Sequence, residues 1–165
     1  MKQSVRLSAF SLIISVAALL IMAAVLFYGM HEGDNLKVYI WVAVLIGLCG
    51  TALFYMPLSI SVNDSELRIN RPLWSKSISL ADIQSVKLCQ PTMGARRVCG
   101  SGGWFGYWGW FHEGDIGHYF AYYGKASDCF LVTLKNGRKY VLGCQNVQAM
   151  VDRIKSSLTA YLSSE

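Results

Sequence analysis

The chain has 165 residues, 53% hydrophobic and only 15% charged, with a net charge of +5 and a positive mean hydropathy. That balance argues against a freely soluble domain, and the dispersed basic residues carry no nucleic-acid-binding motif, so nucleic acid is not an expected partner. Five cysteines show no CxxC spacing and do not resemble a disulfide framework, which leaves reduced core thiols as the simpler reading.

The apolar excess lies first in the chain. Leu7 to Met30 contains no charged residue, a run of about 24 positions that spans about 36 Å as a helix. Val38 to Pro57 is a second uncharged run, and His31 to Lys37 between them is a polar turn suited to a helical hairpin. Tyr28, Tyr39, Trp41 and Tyr55 fall near the run ends, where interfacial aromatics are expected, and Pro57 closes the second run. The first run is too long for a signal-peptide core, and no small-x-small cleavage site precedes His31. Two membrane spans are therefore expected, at about 7–30 and 38–57. Lys2 and Arg6 precede the first span, Glu32 and Asp34 oppose Lys37 in the turn, and twelve Lys and Arg follow the second span. The positive-inside rule puts both ends in the cytoplasm and the turn outside. Residues 1–57 are then a transmembrane anchor, 58–165 a cytoplasmic domain, and the lipid bilayer a partner.

Within that domain Leu58–Val62, Glu66–Asn70, Lys76–Leu80 and Ile83–Leu88 alternate as half-buried strands. Pro91 to Gly117 reads as irregular. His118–Tyr123 and Cys129–Leu134 read as strands, and Asn136-Gly137 is a hairpin signal leading into Lys139–Leu142. Val147, Met150, Val151, Ile154, Leu158 and Tyr161 then recur at helical spacing behind Asn146 as N-cap. Seven short strands and one closing helix predict a mainly-β barrel or sandwich capped by a C-terminal helix.

Within the irregular stretch, Gly103 to Phe111 reads Gly-Trp-Phe, Gly-Tyr-Trp, Gly-Trp-Phe. Six aromatics represent on the order of 25–30 kcal/mol of burial at most, so the segment must pack somewhere. Glycines at every third position argue against a helix, and a period of three puts aromatics on both faces of a strand. Three readings stay open: a β-excursion folded against the barrel, an interfacial finger, or a partner-docking surface. The candidate contact residues are Trp104, Phe105, Tyr107, Trp108, Trp110 and Phe111, with Arg96 and Arg97 available to phosphates or to a partner. His112, Glu113, Asp115 and His118 are the one cluster with acid-base or metal-ligand residue types. Their spacing is not HExxH, and solvated loop charges are the simpler reading. Gly100 to Gly103 lacks the Lys-Ser/Thr and the helix of a phosphate-binding loop.

The order of elements, and specifically Gly100–Phe111, Gly117–Tyr123 and Leu131–Leu142, resembles a bacterial pleckstrin-homology (PH)-like domain family. The resemblance implies a noncatalytic membrane-associated interaction domain, without catalytic residues, cofactor or metal, in the bacterial inner membrane. The expected function is an interaction or scaffold module that binds a protein partner or a second copy. Lipid-headgroup sensing is the alternative, and an enzyme using the His112 cluster is the remote one. Phosphoinositide-binding PH domains carry basic residues on their first strands and the loop between them; Asn63-Asp64-Ser65-Glu66 is acidic there. Inositol-phosphate binding is not expected.

Overall fold

The computed structural model describes residues 1–33, 35–92 and 94–162, with 161 and 162 described by backbone alone, so Asp34 and the Tyr161 side chain of the expected stripe lie outside the description. Strand β1 is Lys2–Ser4. Helix α1 runs Ala9–Glu32, N-capped by Ser8, whose Oγ accepts from Ser11 N at 3.1 Å, and stops at Gly33 in the left-handed region. Helix α2 runs Asn35–Tyr55. The link between the helices is shorter than the expected 31–37 turn, because helix persists to Glu32 and resumes at Asn35. Both helices are long and apolar enough to cross a membrane, and only 17% and 6% of their most apolar windows are buried, unlike core helices of a soluble fold.

The strands form two sheets and no closed barrel. Sheet one is β1, β2 (Ser59–Val62), β3 (Glu66–Asn70) and β4 (Lys76–Ser79), antiparallel throughout. Sheet two contains β5 (Ile83–Leu88), β6 (Arg96–Gly103), β7 (Gly106–Glu113), β8 (Gly117–Tyr123), β9 (Cys129–Leu134) and β10 (Lys139–Gly143). Its order is β5-β9-β10-β8-β7-β6, with β10 and β8 parallel. The seven expected strand segments are all strands. The expectation of about seven falls short by three, because β1 is too brief to show alternation, and β6 and β7 lie in the stretch expected to be irregular. Alternation there is masked by glycines and by aromatics on both faces.

Helix α3, Val147–Leu162, is capped as expected by Asn146, whose Oδ1 accepts from Ala149 N at 3.1 Å. Met150, Val151 and Ile154 are fully buried with Ile60, Leu67, Phe130 and Leu142 in a core between the sheets and α3, and Val147 and Leu158 pack on its rim. Each such side chain contributes about 1.5–3 kcal/mol on burial. A second apolar cluster, including Phe111, Tyr119, Tyr123, Leu131 and Val141, lies on the opposite face of sheet two.

Candidate functional site

The glycine–aromatic segment is a β-hairpin, β6–β7, turning at Trp104 and Phe105. Its glycines solve the period-of-three problem by leaving ordinary strand geometry. Gly100 and Gly109 sit directly opposite each other at φ 129 and 116, and a Cβ on either would stand 2.1–2.2 Å from a carbonyl oxygen of the other strand. Only glycine allows both that φ and that approach. Phe105 holds φ 50, an outlier for a bulky residue that is kept only where surrounding contacts enforce it.

Those contacts come from the helices. The Phe105 N–H donates to Ser15 Oγ at 2.9 Å, and Ser15 in turn donates to Ser11 O at 2.7 Å. Trp104 Nε1 donates to Leu48 O at 3.2 Å, and Trp108 stacks on Tyr55. The hairpin tip thus lies between α1 and α2, about 9–11 Å along each helix from the end nearest the domain. A second loop joins it: Leu73 N donates to Leu53 O, and Arg71 lies over the Tyr55 and Tyr122 rings while donating to Trp74 O at 3.0 Å. Leu73 and Trp74 are left exposed. Sequence reasoning missed this loop and the serines. Ser8, Ser11 and Ser15, spaced about one turn apart in an apolar run, were the available signal.

The candidate residues separate by face. Trp108 is buried in the core between the sheets and Phe111 in the second cluster; Trp104, Phe105 and Tyr107 are half-buried, Tyr107 stacked on Tyr123. Trp110 is 45% exposed, edge-on to Phe120, and Arg96 and Arg97 are exposed. Cross-strand register aligns Arg96, His112 and His118 in one row and Cys99, Trp110 and Phe120 in the next, all on one face of the sheet. Arg97 and Phe111 are opposite each other on the reverse face.

The acid-base cluster does not converge. His112 and His118 lie side by side with ring centroids 4.4 Å apart and are exposed, whereas Glu113 points to the other face, where it is 5% exposed. Glu113 Oε1 accepts from Thr92 N at 3.0 Å and from the Thr92 hydroxyl. Asp115 is exposed in the turn between β7 and β8. No group of three or more His, Cys, Asp or Glu that could hold a metal occurs among the described residues. Burial raises the Cys89 and Cys129 thiols and pushes Cys144 up to about 11, disfavouring the nucleophilic thiolate. Burial likewise pushes the Tyr122 phenol up to about 12, against the pull of Arg71. In the acidic loop after β2, Asp64 pairs with Arg153 of α3 at 2.9 Å.

Beside the hairpin, on the second-cluster face, lies a pocket of about 650 Å³ walled chiefly by Phe10, Ala95, Tyr107, Phe111, Tyr123 and Ala126. Nothing in the sequence marked it, since its walls come from four separate segments.

Two packed sheets, a closing C-terminal helix and a preceding helix pair define a PH-like domain behind two apolar helices. The family model for the bacterial PH domain matches residues 58–158, and the chain belongs to that family. No curated protein and no solved structure matches the chain.

Proposed function

We propose that this protein is an integral membrane protein in which α1 and α2 anchor a noncatalytic PH-like interaction module at the cytoplasmic face of the bacterial inner membrane, with both chain ends cytoplasmic. The observation that carries the reading is the pairing of β1, before α1, with β2, after α2. Strands that hydrogen-bond to each other occupy the same side of any membrane the intervening helices cross, which is the topology of a hairpin anchor. The exposed apolar surfaces of both helices support lipid as their surroundings.

The module acts by docking a protein partner or a second copy. The available surface is the uncovered part of the β6–β7 face that also carries Trp108, where Trp110 adjoins the row Arg96, His112 and His118, with Val98 61% exposed at the sheet edge. An exposed tryptophan beside arginine has the composition of an interaction hot spot. A photo-crosslinker at Val98 in membranes tests this. Expected is a discrete crosslinked species that Trp110→Ala removes while leaving the melting temperature unchanged; a crosslinking pattern indifferent to Trp110→Ala overturns the docking surface. A reporter fused after Glu165 that is active only in the periplasm overturns the topology.

A further inference from the structure

The reverse face of the same hairpin carries a cation that has no partner among the described residues. Arg97 is opposite Phe111, and its guanidinium reaches along β6 to Gly102, where Nη1 lies 3.3 Å from the position a Cβ would take. Gly102 is itself opposite Tyr107. Arg97 therefore lies along the strand beside Tyr107 and Phe111, two walls of the 650 Å³ pocket, without itself lining it. Among the described residues no carboxylate or hydrogen-bond acceptor pairs with it.

The pocket opens at the foot of α1. Ser8, its N-cap, and Phe10, 57% exposed in its first turn, are both walls. Thr92 is the other polar wall, and its N–H donates to the buried Glu113 carboxylate at 3.0 Å. An apolar cavity of this size suits a hydrocarbon chain, while a guanidinium beside its Tyr107 and Phe111 walls suits a phosphate. We propose that the pocket holds a phospholipid of the surrounding bilayer with an anionic headgroup, one acyl chain among Phe10, Tyr107, Phe111 and Tyr123 and its phosphate on Arg97. The site is distinct from the acidic loop after β2, and it rests on the reading of α1 and α2 as membrane spans.

The test uses the full chain in mild detergent, titrated with phosphatidylglycerol or with phosphatidylcholine of the same acyl chains, and read by native mass spectrometry. Expected is retention of one phosphatidylglycerol per chain with roughly tenfold preference over phosphatidylcholine, a margin a charge-assisted guanidinium–phosphate contact can supply. Arg97→Gln should abolish the preference, and Ala126→Phe, which fills the pocket, should abolish retention of both lipids. Equal retention of the two lipids by the wild type overturns the proposal, as does an unchanged preference in Arg97→Gln. Displacement of the lipid by free glycerol phosphate at matched concentration also overturns it, since the headgroup alone would then suffice. Should Ala126→Phe fail to fold by circular dichroism, Arg97→Gln decides. Alkaline carbonate extraction of wild-type membranes separates the two readings. A chain released by carbonate refutes the spans, whereas a chain retained without lipid preference refutes only the pocket.

Discussion

Trp108 stacks on Tyr55 with ring centroids 5.1 Å apart and planes 12° from parallel, joining strand β7 directly to the last turn of α2. Trp108 also donates Nε1–H to Trp104 O at 3.0 Å, so one side chain braces both the helix end and the hairpin turn. Trp108→Ala should cost about 3–5 kcal/mol, the range for truncating a buried aromatic. Trp108→Phe keeps an aromatic face and loses the donor, and should cost about 1–2 kcal/mol. Thermal unfolding of the full chain in detergent measures both; equal losses would show that the ring face contributes nothing.

Ser15→Ala removes the acceptor of the Phe105 N–H at the one non-glycine residue with positive φ among the described residues. Leaving that donor unpaired should cost about 1–3 kcal/mol. Amide hydrogen exchange should accelerate first at Phe105. Unchanged exchange there would mean the turn is held by its own backbone.

Gly109→Ala combines a disfavoured φ with a Cβ 2.2 Å from the Cys99 carbonyl oxygen. Strain of about 1–3 kcal/mol plus the clash should separate β6 from β7. Gly114→Ala is the control, because a Cβ there meets nothing within 4 Å. Limited proteolysis between Pro91 and Gly117 should distinguish the two variants.

Cys99 is exposed while Cys129 and Cys144 are buried. At neutral pH a maleimide should modify Cys99 rapidly and the other two only on unfolding. Alkali adds a sign. The unfolded Cys144 thiol ionises near 9.0 but the folded one only near 11, so above the lower value the unfolded chain binds fewer protons. This contribution to stability is complete below pH 9 and is lost progressively towards pH 11. Tyr122 repeats the pattern between 10 and about 12. Melting temperature should therefore fall steadily over this range, and Cys144→Ala should flatten the lower part of the fall.

Trp74, 69% exposed and next to the Leu73 that bonds to α2, should lie in the headgroup region of a bilayer. A polarity-sensitive dye at Trp74→Cys should shift to the blue in nanodiscs, and one at Asn136→Cys should not. A dye at Leu20→Cys reports separately whether α1 is in lipid.

The sequence exposed whatever repeats with a period. Both helices follow from long uncharged runs, four strands from alternation, and the α3 stripe from helical spacing behind the Asn146 cap. Strands β6 and β7 were hidden because positive-φ glycines interrupt the alternation, leaving composition as the visible signal. At the site, the aromatic residues were legible and their separation by face was not. Sorting Trp108 and Phe111 into two cores and Trp110 into solvent depends on pairing with β8. His112 and Glu113 are adjacent in sequence yet on opposite faces, a consequence of strand geometry that an irregular reading of 91–117 could not supply.

The pairing of Ser4 with Ser59 also imposes an order on assembly. The first strand emerges from the ribosome long before its partner, and the sheet closes only after both intervening helices have been made. Until then Lys2–Ser4 and the exposed edge of β2 remain unmatched, so closure of this sheet waits on completion of the helix pair. Under the proposed hairpin topology, a chain whose second helix fails to return to the starting side could never form this sheet, which would make the small β1–β2 contact a built-in check on insertion.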